Sequence, residues 1–164
     1  MRRTGTRSAF SLVELVVVIV IIGIIAAMAI PRLSRGSAGA SSSAVAGNLA
    51  VLRNAINLYA AEHYNKFPGH DSGDAADHLT MYTDASGGTS ATRTGNFIFG
   101  PYIVAVPPMP IGNKSQPTAI ALDATNSPPQ TTAGNEGWVY NPNTGEIIAN
   151  TTETDESGKA FSTY

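Results

Sequence analysis

From Leu15 through Ile30 the chain carries no charged side chain, and this apolar run limits every fold the remaining residues can build. Taken as a helix, Phe10 to Ile30 spans about 30 Å at about 1.5 Å per residue, the hydrocarbon thickness of a bilayer. Arg2, Arg3 and Arg7 precede it, so the positive-inside rule keeps the N-terminus cytoplasmic and puts everything after Arg32 on the far side. Glu14 stands at the start of the run, where a plain hydrophobic anchor has no use for a carboxylate.

An ordinary secretory signal peptide is the competing reading, because Ala27-Met28-Ala29 has the small-x-small form that signal peptidase cuts, leaving a chain that starts at Ile30. Two features oppose it. The apolar region is longer than a signal core, and Glu14 sits where a signal peptide prefers no charge.

The rest of the chain is polar and rich in Gly, Pro, Ser, Thr and Asn, enough for one small folded unit. A net charge of −2 and a pI near 5.8 lack the basic face of a nucleic-acid binder, so no nucleic-acid partner is expected. The absence of cysteine excludes disulfides, thiolate metal sites and a cysteine nucleophile.

After Pro31, the small residues Gly36 to Ser43 are read as helix of low propensity. Val45, Leu49, Leu52, Ile56, Tyr59 and His63 then recur at three- and four-residue steps, the mark of an amphipathic helix covering a sheet. Asn65-Lys66-Phe67-Pro68-Gly69 stops it, at about residue 66. A short helix is expected at Asp74 to Leu79, capped by Asp71, Ser72 or Asp74, with a mobile loop at Ser86 to Gly95. Strands are expected at Ala119–Leu122, Trp138–Tyr140 and Glu146–Ala149, the last two as a hairpin around Asn141-Pro142-Asn143-Thr144-Gly145. Phe97 to Val106 suits extended segments, and Pro107, Pro108 and Pro110 exclude a central strand.

A short basic segment, a small residue, Phe10, Ser11-Leu12-Val13-Glu14-Leu15, the apolar run and Pro31 together resemble the class III leader of type IV pilins and type II secretion pseudopilins. Gly100-Pro101-Tyr102-Ile103 and Gly137-Trp138-Val139-Tyr140-Asn141-Pro142 with Gly145-Glu146-Ile147 look like the globular part of major (G-type) pseudopilins. Classical pilins often carry a C-terminal disulfide loop that this chain cannot form.

The resemblance implies an α+β fold, a long N-terminal helix on a small antiparallel sheet. It divides the chain into a cleaved leader (1–9), an apolar transmembrane and filament-core helix half (10–33), and a periplasmic domain (34–164). Cleavage falls between Ala9 and Phe10, where the family usually has glycine before the cut, and the new Phe10 amine is methylated. Losing Arg2, Arg3 and Arg7 takes the formal charge from −2 to −5. The implied partners are copies of the chain in a helical filament, a prepilin peptidase and methylase, the lipid bilayer, minor pseudopilins, and an inner-membrane platform with its ATPase. The implied function is structural, a pseudopilus subunit in type II secretion, with a type IV pilus subunit as the alternative. Glu14 is expected to pair with a neighbour's Phe10 amine, and the segment from Gly23 to Pro31 to melt in the filament.

No enzymatic role is expected, because the chain offers no pairing of nucleophile and base. Ser72 in Gly69-His70-Asp71-Ser72-Gly73 lacks the glycine that a nucleophile elbow places two residues earlier. His63, His70 and His78 with Asp71, Asp74 and Asp77 have no zinc-motif spacing and read as solvated loop residues. Major pseudopilins as a family carry a calcium site in a C-terminal loop, and the oxygen ligands available here are Glu153, Asp155 and Glu156 before Gly158. Their spacing departs from the EF-hand, and a solvated acidic tail is the other reading. A signal-peptide-released binding module and a membrane-tethered module are the readings from other classes.

Overall fold

The computed structural model describes residues 10–71 and 73–164, and the side chains of these except 29–38. Helix α1 (Leu12–Glu62) is followed by α2 (Ala75–Thr80), β1 (Tyr82–Thr83), β2 (Thr89–Ser90), β3 (Gln116–Leu122), β4 (Glu136–Tyr140), β5 (Ile147–Ala149) and a final 3-10 turn (Phe161–Thr163). By internal contacts the chain divides into Met1–Ser37 and Ala38–Tyr164.

In the first unit, the large apolar side chains of α1 from Leu12 to Met28 are exposed on every side. Among the described residues no helix is long and apolar enough to cross a membrane; the described side chains of this run stop at Met28, short of the about 20 residues a span needs. The helix is continuous through Gly23 and Pro31 and through the small-residue stretch that follows.

In the second unit, α1 buries Val45, Leu49, Leu52, Ile56 and Tyr59, the stripe that the three- and four-residue spacing predicts. They form one core with Leu79 of α2, Trp138 and Tyr140 of β4, Ile147 and Ala149 of β5, and Phe161. The Trp138 indole N–H donates to the Pro107 carbonyl at 2.9 Å, and Asn48 donates to Pro108 at 3.0 Å. The proline-rich segment is thereby fastened over the core without joining a strand.

The fold is α+β, with the expected hairpin: Trp138 pairs with Ala149 and Tyr140 with Ile147 in antiparallel register. Its turn takes the predicted form. Asn141 Oδ1 accepts from the Asn143 N–H at 2.8 Å, and Gly145 has a φ of 75°. A side chain at Gly145 would also strike the Phe67 ring, so glycine is required twice over. Strand β3 adds parallel to β4, which makes this sheet mixed rather than wholly antiparallel. Such a crossover needs a long connection. Its loop is organised by the Asp123 carboxylate, which accepts N–H bonds from Thr125, Asn126 and Gln130 and is held below the usual carboxylate range by them.

Three local expectations change. Ser86 to Gly95, expected as a mobile loop, contains β2, whose Thr89 and Ser90 pair with Thr83 and Tyr82. Asp84 Oδ1 stiffens the hairpin by accepting from the Ser86 and Gly88 N–H groups at 2.9 Å each. Strands of two residues carry no periodicity to read. Phe97 to Val106 contributes only the bridge of Phe99 to Thr83. Helix α1 closes at Glu62, a turn before residue 66, because Tyr64 and Asn65 take positive φ after the ring of His63 is drawn into the core. Of the three proposed caps of α2, Asp74 serves: its carboxylate accepts from the Ala76 N–H at 2.8 Å.

Gly137 tests the fit of β3 to β4, since a Cβ there would collide with the Pro117 carbonyl, which is backbone and has nowhere to go. Gly137→Ala is expected to cost about 1–3 kcal/mol, the usual range for overpacking. Gly47→Ala, in open space on α1, is expected to gain up to about 1 kcal/mol from helix propensity. Urea denaturation of Ala38–Tyr164 checks both signs.

Candidate functional site

At the N-terminal end, Phe10 and Ser11 lie outside regular structure and α1 begins at Leu12. Glu14 Oε2 accepts from the Ser11 backbone N–H at 2.8 Å, and the Ser11 carbonyl accepts from Leu15 at 3.2 Å. With Ser11 at the N-cap, Glu14 is the residue of a capping box that reaches back to the cap's N–H. The helix dipole favours its negative charge there as well. Sequence reasoning missed this second use of Glu14, although Ser-x-x-Glu before an apolar run is its signature. The Phe10 side chain is 83% exposed. Ala9 and Ser72 lie outside the described residues.

Of the three histidines, His63 and His78 are not solvated loop residues, whereas His70 is half-buried in a turn beside exposed Asp71. His63 is 0% and His78 1% exposed, and both rings lie parallel to that of Tyr59, His63 with centroids 3.8 Å apart and His78 5.4 Å. Burial of this kind follows from the helical spacing of His63 with Tyr59 and from the α2 contacts of His78. His63 bonds the Tyr59 carbonyl through Nδ1 at 2.9 Å and the Thr83 hydroxyl through Nε2 at 3.0 Å, joining the end of α1 to the β1–β2 hairpin.

His70, Asp71 and His78 are the one group of three ligand side chains, among the described residues, close enough to share a metal ion, with ligand atoms within 4.8 Å of one another. The tautomers decide whether they fit one. His70 donates Nδ1–H to the Phe67 carbonyl at 2.9 Å, which leaves Nε2 as an oriented ligand of the kind metal sites use. His78 is the reverse. Its Nδ1 accepts from the Gly69 N–H at 3.0 Å and lies 3.2 Å from the Tyr59 hydroxyl, so a neutral ring carries its proton on Nε2, facing Asp71 at 3.6 Å. A metal at Nε2 would have to displace that proton and leave an imidazolate. The cluster suits a buried neutral histidine between Tyr59 and Asp71 better than a three-ligand metal centre. Nor does Tyr59 offer a nucleophile, because burial raises its hydroxyl well above the ordinary range.

In the acidic tail, Asp155 Oδ1 accepts from the Ser157 and Lys159 N–H groups at 2.8 and 2.9 Å, and Oδ2 accepts from the Tyr164 hydroxyl at 2.6 Å. The Ser157 hydroxyl, which also donates to Oδ1 at 2.6 Å, and with it the Tyr164 and backbone bonds, hold the Asp155 carboxyl below its usual range. Glu153 and Glu156 are exposed. Arg53 donates to the Tyr164 and Ile147 carbonyls at 2.6 and 3.2 Å, and Lys159 Nζ stands 4.7 Å from the Tyr164 ring centroid. The tail is thus folded onto the domain by its own side chains.

Residues 5–30 match the family model described as the prokaryotic N-terminal methylation motif. No curated protein and no solved structure matches the chain. The matched residues hold Phe10, Glu14 and the whole apolar run, and they support a type IV pilin-like subunit with a prepilin-type leader, processed by a prepilin peptidase and assembled into filaments.

Burial lowers the His78 pKa below its ordinary range, against the opposing charge of Asp71. The folded chain then binds fewer protons than the unfolded one, so this stability is complete above the unfolded imidazole range and is lost as pH falls from there through the lowered folded value. The melting temperature is expected to drop between about pH 7 and pH 5. His78→Phe is expected to flatten that drop and to lose about 1–3 kcal/mol at neutral pH by stranding the Gly69 N–H. Calorimetry across the range checks both, and an unchanged slope would assign the acid sensitivity to other groups.

Proposed function

We propose that this chain is the structural subunit of a pseudopilus, anchored in the bacterial inner membrane until assembly and then driving protein export in type II secretion. One observation carries the reading: in a chain with a methylation motif, α1 from Leu15 to Met28 is apolar all round, with even Val16 43% exposed. A helix hydrophobic on every face is stable only when buried. Lipid covers it first, with Phe10 to Ile30 long enough for the hydrocarbon layer, the N-terminus cytoplasmic and the domain periplasmic. Neighbouring copies cover it afterwards.

In this reading the peptidase removes residues through Ala9 and methylates the Phe10 amine, and a platform with its ATPase moves subunits from membrane to filament. The chain has no cysteine, so the disulfide loop of classical pilins is replaced by the contacts of Asp155, Arg53 and Lys159 with Tyr164, which supports the pseudopilin over the adhesive pilin.

A carboxylate has room for about four acceptor contacts, so Glu14 can cap its own helix and still take a neighbour's amine. In a filament core without headgroups, an uncompensated carboxylate is costly, and methylation keeps the amine cationic. Glu14→Leu is expected to leave cleavage and membrane insertion intact while greatly reducing filaments and secretion. Glu14→Gln separates the two roles, because glutamine also serves a capping box but carries no charge. Failure of both variants supports charge pairing; normal assembly of Glu14→Gln, with N-methyl-Phe10 confirmed by mass spectrometry, refutes it. A mature chain starting at Ile30 would instead indicate a released module.

Gly23 and Pro31 cost about 1 and 3 kcal/mol relative to alanine in a helix interior. In the filament the segment between them is expected to unwind, and a filament map with unbroken helix there would count against it.

A further inference from the structure

The cluster of Tyr59 and His78 ties down a backbone donor in a way that one added proton would undo. The neutral His78 ring has a single lone pair on Nδ1, with the Gly69 N–H at 3.0 Å and the Tyr59 hydroxyl at 3.2 Å. A protonated ring has no lone pair to offer. The Tyr59 hydroxyl can rotate and accept from Nδ1–H, because a hydroxyl is both donor and acceptor. An amide N–H has no such choice. Gly69 is buried, so its N–H would face another donor with no water to replace the lost bond.

The opposite edge of the ring responds with the opposite sign. There Nε2 faces Asp71 at 3.6 Å, and Asp71 stands two residues beyond Gly69 in the same turn. A positive ring attracts that carboxylate. Its other oxygen lies against Gly87, at the tip of the β1–β2 hairpin, where any side chain would strike it. Protonation therefore pushes one end of the turn off the ring and draws the other end onto it. Gly69, at a φ of 80°, has the backbone freedom to absorb the change. The groups facing the ring are Tyr59 and His63 from α1, His70 and Asp71 from the turn, and Asp74 from the cap of α2. The histidines oppose the added proton and the carboxylates favour it. Asp84 of the hairpin acts on Tyr59.

We propose that His78 is a proton-operated latch: acid frees the Gly69 N–H, closes Asp71 onto the ring and so moves the turn from Gly69 to Asp71 away from the hairpin tip, while the core stays folded. The neutral ring is the latched state. Its burial sets the switch below the ordinary imidazole range. The surface made by this turn and the hairpin tip then differs between neutral and acid surroundings. The opening is local, which distinguishes it from acid sensitivity of the whole domain, and it does not depend on the filament reading.

The test follows amide exchange and the His78 ring nitrogens of the full chain in detergent micelles by nuclear magnetic resonance, between about pH 7.5 and about pH 5. Each amide rate is divided by its intrinsic rate at that pH. The Gly69 amide is expected to exchange about tenfold faster or more in acid, in step with the titration of His78, while Leu52 and Val139 in the interior keep their protection. Loss of protection at all three together is global unfolding and overturns the proposal. So does a Gly69 amide that ignores the titration of His78. His78→Asn puts an amide oxygen near the place of Nδ1 and cannot titrate, so Gly69 is expected to stay protected throughout; its exposure in acid would assign the opening to another group. Asp71→Asn removes the attraction and is expected to lower the His78 midpoint by about half a pH unit or more. An unchanged midpoint overturns the closing of Asp71 onto the ring. The parental titration decides the matter even where a variant fails to fold.

Discussion

Everything in the folded domain depends on the contact of one helical stripe with one hairpin. Leu49, Leu52, Ile56 and Tyr59 of α1 and Trp138, Tyr140, Ile147 and Ala149 of the sheet share a core, and each element has an apolar face that is unstable until the other covers it. A domain of this size has little other core to draw on, and no disulfide supplements it. The segments without regular structure therefore borrow order from that contact. Phe161 enters the core, Trp138 holds the proline-rich segment by its indole, and Arg53 reaches from the helix to the tail.

Polar groups finish what the core begins. Asp84, Asp123 and Asp155 each gather the N–H groups of a loop around one carboxylate, which satisfies backbone donors where helix and strand are absent. The histidines act at the far end of the same helix, where Tyr59, His63 and His78 stack and bond to three separate segments. Imidazole serves here because it is flat enough to stack and bears a polar atom at each edge. Its cost is sensitivity to acid, since a proton added to buried His78 has little solvation.

The same helix has a second, opposite requirement. Its first part has no face to hide. A chain designed to remain alone in water would place Lys or Glu there. Under the proposed filament reading neighbouring copies would cover that first part, while Glu14 caps the helix start.

The sequence by itself determined the apolar run and its leader, the amphipathic period of Val45 to Tyr59, a short helix capped from among Asp71, Ser72 and Asp74, and the hairpin around Asn141 to Gly145. These are written in residues close together in the chain, as period, cap and turn chemistry. It also contained the Ser11–Glu14 capping box, visible in spacing but overlooked beside the charge on Glu14. Only the tertiary structure decided that β3 runs parallel to β4, that Thr89 and Ser90 form a strand, that α1 stops at Glu62, and that His78 holds its proton on Nε2. Each of those depends on a group outside its own element: Trp138 for Ile120, Thr83 for Thr89, the hairpin backbone for His63, and the Gly69 N–H for His78. Local pattern cannot choose among such partners, because the choice belongs to whichever arrangement buries the core and leaves the fewest donors unpaired.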